Sequence, residues 1–95
     1  MKDLSFSVLL DHYGCLLPDK QRRIAEDYFN EDLSLSEISE NTGISRQGVH
    51  ESVKRTQQAL LFYEERLHLA KTVRELRAAA ANRDLDAFCT ITENL

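Results

Sequence analysis

The sequence predicts an all-α protein, and three observations carry that prediction. Leu, Ala, Glu, Arg and Gln are abundant in a chain of 95 residues with one proline and three glycines, a balance of strong helix formers with few breakers. Apolar residues recur at helical spacing in successive segments, and cap and turn residues rather than β-branched runs separate those segments. At 42% apolar composition the chain can bury one modest core, so residues 1–95 are expected to form a single helical domain. About five helices, one of them long and a short one at the C-terminus, account for the length.

Between Asp3 and Tyr13, the side chains of Phe6, Leu9, Leu10 and Tyr13 fall at i, i+3, i+4 and i+7. That is one face of a first helix, with Gly14 as its stop. A second helix is expected to begin near Pro18, whose fixed φ suits a first helical turn, to turn Ile24, Ala25 and Tyr28 inward and to end around Asn30. The third starts at Ser34, because Glu37 three residues on completes a capping box in which the hydroxyl caps a free amide and the carboxylate reaches back. Leu35 and Ile38 point to the core. Asn41, Thr42 and Gly43 close the helix, and Gly43 suits a left-handed backbone that costs a residue with a β-carbon about 1 kcal/mol or more.

Ile44 follows as a buried plug and Ser45 as the next N-cap; from Arg46 only Gly48 interrupts helical propensity until about Asn82. This predicts one long helix over about 46–81. Val49 and Val53 point inward from its first turns, and two apolar stripes follow: Leu60, Tyr63 and Leu67, then Phe62, Leu69, Val73, Leu76 and Ala80. A helix with two apolar faces cannot bury both against a few short helices, so one stripe is expected to meet a second copy in a homodimer. In the tail, Leu85, Phe88, Cys89 and Thr92 lie at helical spacing behind a possible cap at Asp84. This short helix should fold back on the long one or on its partner.

Residues 34–55, "SLSEISENTGISRQGVHESVKR", have the layout of a helix-turn-helix. In that motif one helix braces across the sugar–phosphate backbone while a second lays its N-terminal side chains on base edges in the major groove. Ser39, Gly43, Ile44, Val49 and Val53 fill the small, turn and buried places. Arg46, Gln47 and His50 then face outward at the head of the second helix, where they can meet base edges or phosphates, and Lys54 and Arg55 suit phosphates. The whole chain has a net charge of −4, but Ser45–Arg55 sets Arg46, Lys54 and Arg55 against Glu51 alone. Basic character is needed only where phosphate is touched, although a low total lowers the expected affinity. Lys20 to Arg23, "KQRR", offers a second basic contact. The same geometry also serves plain protein packing, so an adaptor that binds protein partners is the competing class.

Other classes find less support. The N-terminus lacks a basic region and a cleavage site, and no stretch approaches the roughly 20 apolar residues that cross a bilayer, so a cytoplasmic protein with no membrane contact is expected. Cys15 and Cys89 read as reduced, small buried hydrophobes, with a disulfide or metal role as the alternative. His12, His50 and His68 lie on different elements and no nucleophile elbow, metal-ligand pair or phosphate loop is present; His12 and Cys15 fall short of the four ligands of a stable zinc site. Neither enzyme activity nor a cofactor or metal is expected.

Residues 17–60, from "LPDKQRRIAEDYFN" through "SLSEISENTGISRQGVHESVKR" to "TQQAL", resemble the promoter-reading region 4 of sigma-70-type factors in their Leu-Pro-x-x-Gln-Arg opening and their Gly-Ile-Ser-Arg and Lys-Arg marks. With the continuation "QQALLFYEERLHL", the chain is more closely similar to the YlxM family (UPF0122), small bacterial proteins encoded in the signal-recognition-particle operon, over nearly its whole length until about Arg77. The resemblance implies a DNA-binding (or RNA-binding), wingless helical regulator, dimeric, acting with signal-recognition-particle or transcription components. It puts Arg46, Gln47 and His50 in base-facing places and Ser34, Ser45, Lys54 and Arg55 in backbone-facing ones. Two residues depart from the family habit that the resemblance implies: Gly48 stands where alanine or another helix former is usual, at a cost of about 1 kcal/mol in helix propensity that either loosens the reading helix or lets it approach a backbone closely, and Ser39 replaces the usual alanine.

Overall fold

A computed structural model of the chain describes residues 4–95, with side chains from Phe6 onward. The proposed start of the first helix at Asp3 lies outside these residues. Six α-helices and no strand make up the described residues: α1 Leu4–Tyr13, α2 Asp19–Ala25, α3 Leu35–Thr42, α4 Arg46–Leu67, α5 Leu69–Ala81 and α6 Leu85–Glu93. The all-α helix-turn-helix class is therefore the observed one.

Leu9, Leu10 and Tyr13 of α1 are buried as their spacing requires. α1 does not end abruptly at Gly14 but runs into a 3-10 turn, Gly14–Leu16, closed by the Leu17 N–H on the Gly14 carbonyl at 3.0 Å. Leu17 is extended ahead of Pro18, as the proline ring demands. Pro18 occupies the N-cap, one position before the helix proper. α2 continues as a π-helical turn, Glu26–Asn30, so the helical path does end at Asn30. Phe29 is buried there, with its ring 5.4 Å from that of Phe6, while Tyr28 is only half-buried. The Ser7 hydroxyl donates to the Phe29 carbonyl at 2.9 Å, serving an acceptor that the end of the helix leaves over.

The core joins α1, α2, the π turn, α3 and the first half of α4 through Ile24, Ile38, Val49, Val53 and Leu60. Thr56 is fully buried among them, and its Oγ1 accepts from Gln21 Nε2 at 2.9 Å, pinning α2 to α4 with a polar contact inside an apolar seam.

The single long helix expected over 46–81 is broken. His68 adopts the left-handed conformation at φ 54°, and α5 sets off in a new direction from it. That conformation costs a residue with a β-carbon about 1–2 kcal/mol, and the fold offsets the cost with a cap assembled from Glu64, one turn back, and the distant Tyr13. Glu64 Oε1 accepts from the Tyr13 hydroxyl at 2.5 Å and from the Ala70 N–H at 3.0 Å, and Oε2 accepts from the Lys71 N–H at 3.0 Å. The Leu69 N–H donates to the Tyr13 hydroxyl oxygen at 3.0 Å and the Thr72 N–H to the His68 carbonyl at 2.9 Å. The amides of Leu69, Ala70 and Lys71, which have no partner within the helix, are thus all accounted for, and Thr72 begins the regular ladder. Burial alone pushes the Glu64 carboxyl up, but the bonds from Tyr13, Ala70 and Lys71 and the nearby His68 outweigh it and hold the group below its ordinary value. Burial and the adjoining carboxylate push the Tyr13 hydroxyl up, so it stays a proton donor.

The bend also breaks the two stripes. Leu60 is buried and Tyr63 half-buried, but Leu67 is 59% exposed, and Phe62, 52% exposed under the Arg66 guanidinium, no longer lines up with Leu69 across His68. α5 packs on α1, and α6 packs on α5 behind an Asp84 cap that accepts from the Ala87 N–H at 3.0 Å. The result is elongated, 51 × 22 × 18 Å, with a radius of gyration of 16.3 Å against about 12 Å for a compact chain of this length. Both cysteines are exposed, contrary to their expected burial: Cys15 lies in the 3-10 turn, and Cys89 on a helix that buries no residue in this chain.

Candidate nucleic-acid interface

Local chemistry builds the α3–turn–α4 unit. Ser34 Oγ accepts from the Glu37 N–H at 3.1 Å while Glu37 Oε1 accepts from the Ser34 N–H at 3.2 Å, so the capping box is complete. Gly43 takes φ 75°, and its N–H reaches the Ser39 carbonyl at 2.9 Å. The Ser39 hydroxyl then donates to the Ile44 carbonyl at 2.5 Å, a bond across the turn that alanine could not make. Thr42 adds to it, donating to the Ile38 carbonyl at 2.7 Å and accepting from the Ile44 N–H at 3.3 Å. Ser45 caps α4 through the Gly48 N–H at 3.0 Å.

Gly48 has a steric reason. A β-carbon there would lie 2.8 Å from Ile44 Cγ2 and 3.2 Å from the Ser45 hydroxyl. Ile44 is branched and half-buried and has little room to yield, so the helix start is closed around a missing side chain. The low helix propensity of Gly48 is the cost of that packing rather than a loosening of α4.

Val49 and Val53 hold the inner side of α4 against the core. Arg46, Gln47, His50, Lys54 and Arg55 are all exposed over its first three turns. Ser45 and Ser34 are exposed too, but each uses its hydroxyl oxygen to accept a cap bond; the hydroxyl proton is what each has to offer a phosphate. Gln47 Nε2 donates to Glu51 Oε1 at 3.3 Å, which turns the Gln47 amide oxygen away from that carboxylate. In "KQRR" the structure divides the labour: Gln21 serves Thr56, Arg22 pairs with Glu26 at 3.0 Å, and Lys20 and Arg23 are exposed. Among the described residues no three His, Cys, Asp or Glu side chains are placed to hold a metal ion, and no helix is long and apolar enough to cross a membrane.

The cap on α5 was not foreseen from the sequence. Glu64 and Tyr13 stand 51 positions apart, and a glutamate in "FYEERLHL" looks like any solvated helix residue.

Two capped helices joined at a left-handed glycine, the second pinned by valines and open on its outer side, define a helix-turn-helix protein. Over residues 1–84 the chain matches the family UPF0122, described as "Putative helix-turn-helix protein, YlxM / p13 like". The chain belongs to this family. It is 52% identical over 73 residues to a UPF0122 protein of Caldanaerobacter subterraneus subsp. tengcongensis, covering 77% of this chain and 62% of that one. It is 47% identical over 73 residues to a UPF0122 protein of Clostridium novyi, covering 77% and 64%. A third, of a Thermoanaerobacter species, is 51% identical over the same length. The chain thus spans less than two thirds of the length of these relatives.

Proposed function

We propose that this protein binds duplex DNA through α4 and acts as a regulator. One observation carries the proposal: Arg46, Gln47, His50, Lys54 and Arg55 stand exposed on the outer side of a helix whose inner side is fixed by Val49 and Val53. Arg46, Gln47 and His50 take base edges and Lys54 and Arg55 phosphates, with Ser34 and Ser45 donating to the backbone. Lys20 and Arg23 of α2 extend the basic surface. The protein works as a homodimer, a reading supported by its elongated shape and by exposed apolar residues beyond the bend. Association with the signal-recognition-particle pathway or the transcription machinery is part of the same proposal and rests on family likeness.

The test is fluorescence anisotropy with a selected duplex and with random DNA over a series of salt concentrations. Arg46→Ala and Gln47→Ala should each weaken the selected complex by about 1–3 kcal/mol, and Lys54→Ala should weaken all sequences alike and lower the salt slope by about one. Equal loss on every sequence for every variant refutes base reading. Binding to neither DNA nor signal-recognition-particle RNA at low salt leaves the adaptor class, which the acidic net charge of −4 favours.

A further inference from the structure

A groove of about 610 Å³ runs between α1, α4 and α5. Its floor includes Val8 and Leu61, 48% and 53% exposed, with Val73 of α5, and one rim carries Lys71, Arg74 and Arg77. Glu64, at one end of the groove, already has both carboxylate oxygens committed to Tyr13 and the amides of α5. The groove is thus apolar below and cationic along an edge.

α6 has the complementary character. It buries no residue, and Leu85, Phe88 and Leu95 are 71%, 37% and 78% exposed. Leu85 and Phe88 fall with Thr92 at i, i+3 and i+7, one stripe of the helix, and Leu95 lies just beyond its end. From Asp84 to the last residue the chain has Asp84, Asp86 and Glu93 and no lysine or arginine. Asp84 is spent on the helix cap. Asp86 and Glu93 stand about 10 Å apart along α6, and Lys71 and Arg77 about 9 Å apart along α5. A nine-residue helix is marginal alone in water and holds its form by packing, so its open face calls for a cover.

The geometry points to a second copy of this chain as that cover: α6 of each protomer seats Leu85 and Phe88 in the α1–α4–α5 groove of the other, with Asp86 and Glu93 against Lys71, Arg74 and Arg77. The arrangement is two-fold, each chain giving one helix and receiving one. It rests on the homodimer reading and specifies the surfaces. The family match ends at residue 84, immediately before α6.

Sedimentation equilibrium on the wild-type chain and on two charge-reversed variants, Arg74→Glu with Arg77→Glu and Asp86→Lys with Glu93→Lys, tests it. All four positions are exposed, and circular dichroism checks that each variant keeps its helices. Each variant alone should raise the dimer Kd at least about tenfold, and mixing the two should restore association, because both interfaces of the mixed dimer are again opposite in charge. A wild-type dimer indifferent to both variants, or no recovery on mixing, overturns the α6 docking and leaves the homodimer standing. A wild-type monomer at high concentration overturns both.

Discussion

Replacing Glu64 by Gln should cost the fold about 2 kcal/mol at neutral pH and much less in acid. The carboxylate accepts from the Tyr13 hydroxyl, the Ala70 N–H and the Lys71 N–H. Bonds to a charged acceptor contribute about 1.5–3 kcal/mol each. The neutral amide can still accept on its one oxygen but loses the Lys71 bond and the charge assistance in the other two. Partial exposure lets water repair some of the loss, which brings the sum down to about 2 kcal/mol, or about 10 °C in Tm for a chain of this size. The Glu64 carboxyl is held below its ordinary value of 4.5 in the folded state. Its contribution is therefore fully present above that value and disappears as the pH falls through the depressed folded one. Urea unfolding followed by circular dichroism, at pH 7 and well below 4.5, should show the gap between wild type and Glu64→Gln closing in acid. A gap that is the same at both, or a variant within about 0.5 kcal/mol of wild type at pH 7, refutes the cap as the support of the bend.

Gly48→Ala should lower stability by about 1 kcal/mol: overpacking against Ile44 Cγ2 costs about 1–3 kcal/mol and helix propensity returns about 1. A rise in Tm by calorimetry would contradict the steric account. Thr56→Val keeps the buried volume but removes the acceptor of Gln21 Nε2 and should cost about 1 kcal/mol. Gln21→Leu in the Thr56→Val background should recover part of that loss, and strictly additive effects in the double-mutant cycle would show that the two side chains do not act together.

The candidate interface was legible in the sequence because its determinants are local. The Ser34 and Glu37 capping box, the left-handed Gly43 and the Ser45 cap each act within three or four residues, and each is where the sequence reading put it. Burial of Ile38, Val49 and Val53 followed from spacing alone. Ser39 and Gly48 were visible as residues, but their structural roles were not. Ser39 makes its bond to the Ile44 carbonyl only once the turn has closed, and the fit of Gly48 depends on where Ile44 comes to rest.

Beyond Leu60 the outcome passed out of local control. Every residue from Arg46 to Ala81 except Gly48 tolerates a helix, so the pattern reads as continuous. What ends α4 at Leu67 is a phenol from α1 and a carboxylate one turn back, meeting at the amides of α5. The exposure of Cys15 and Cys89 has the same origin, since spacing tells which residues share a side but not whether anything lies opposite. The sequence by itself determined the all-helical class, the caps at Ser34, Ser45 and Asp84 and the outward side chains of α4, all set by contacts within a turn or two of chain. Only the tertiary structure decided the bend at His68, the groove beside α5 and the uncovered side of α6, because each arises where segments distant along the chain come together and satisfy, or leave open, one another's groups.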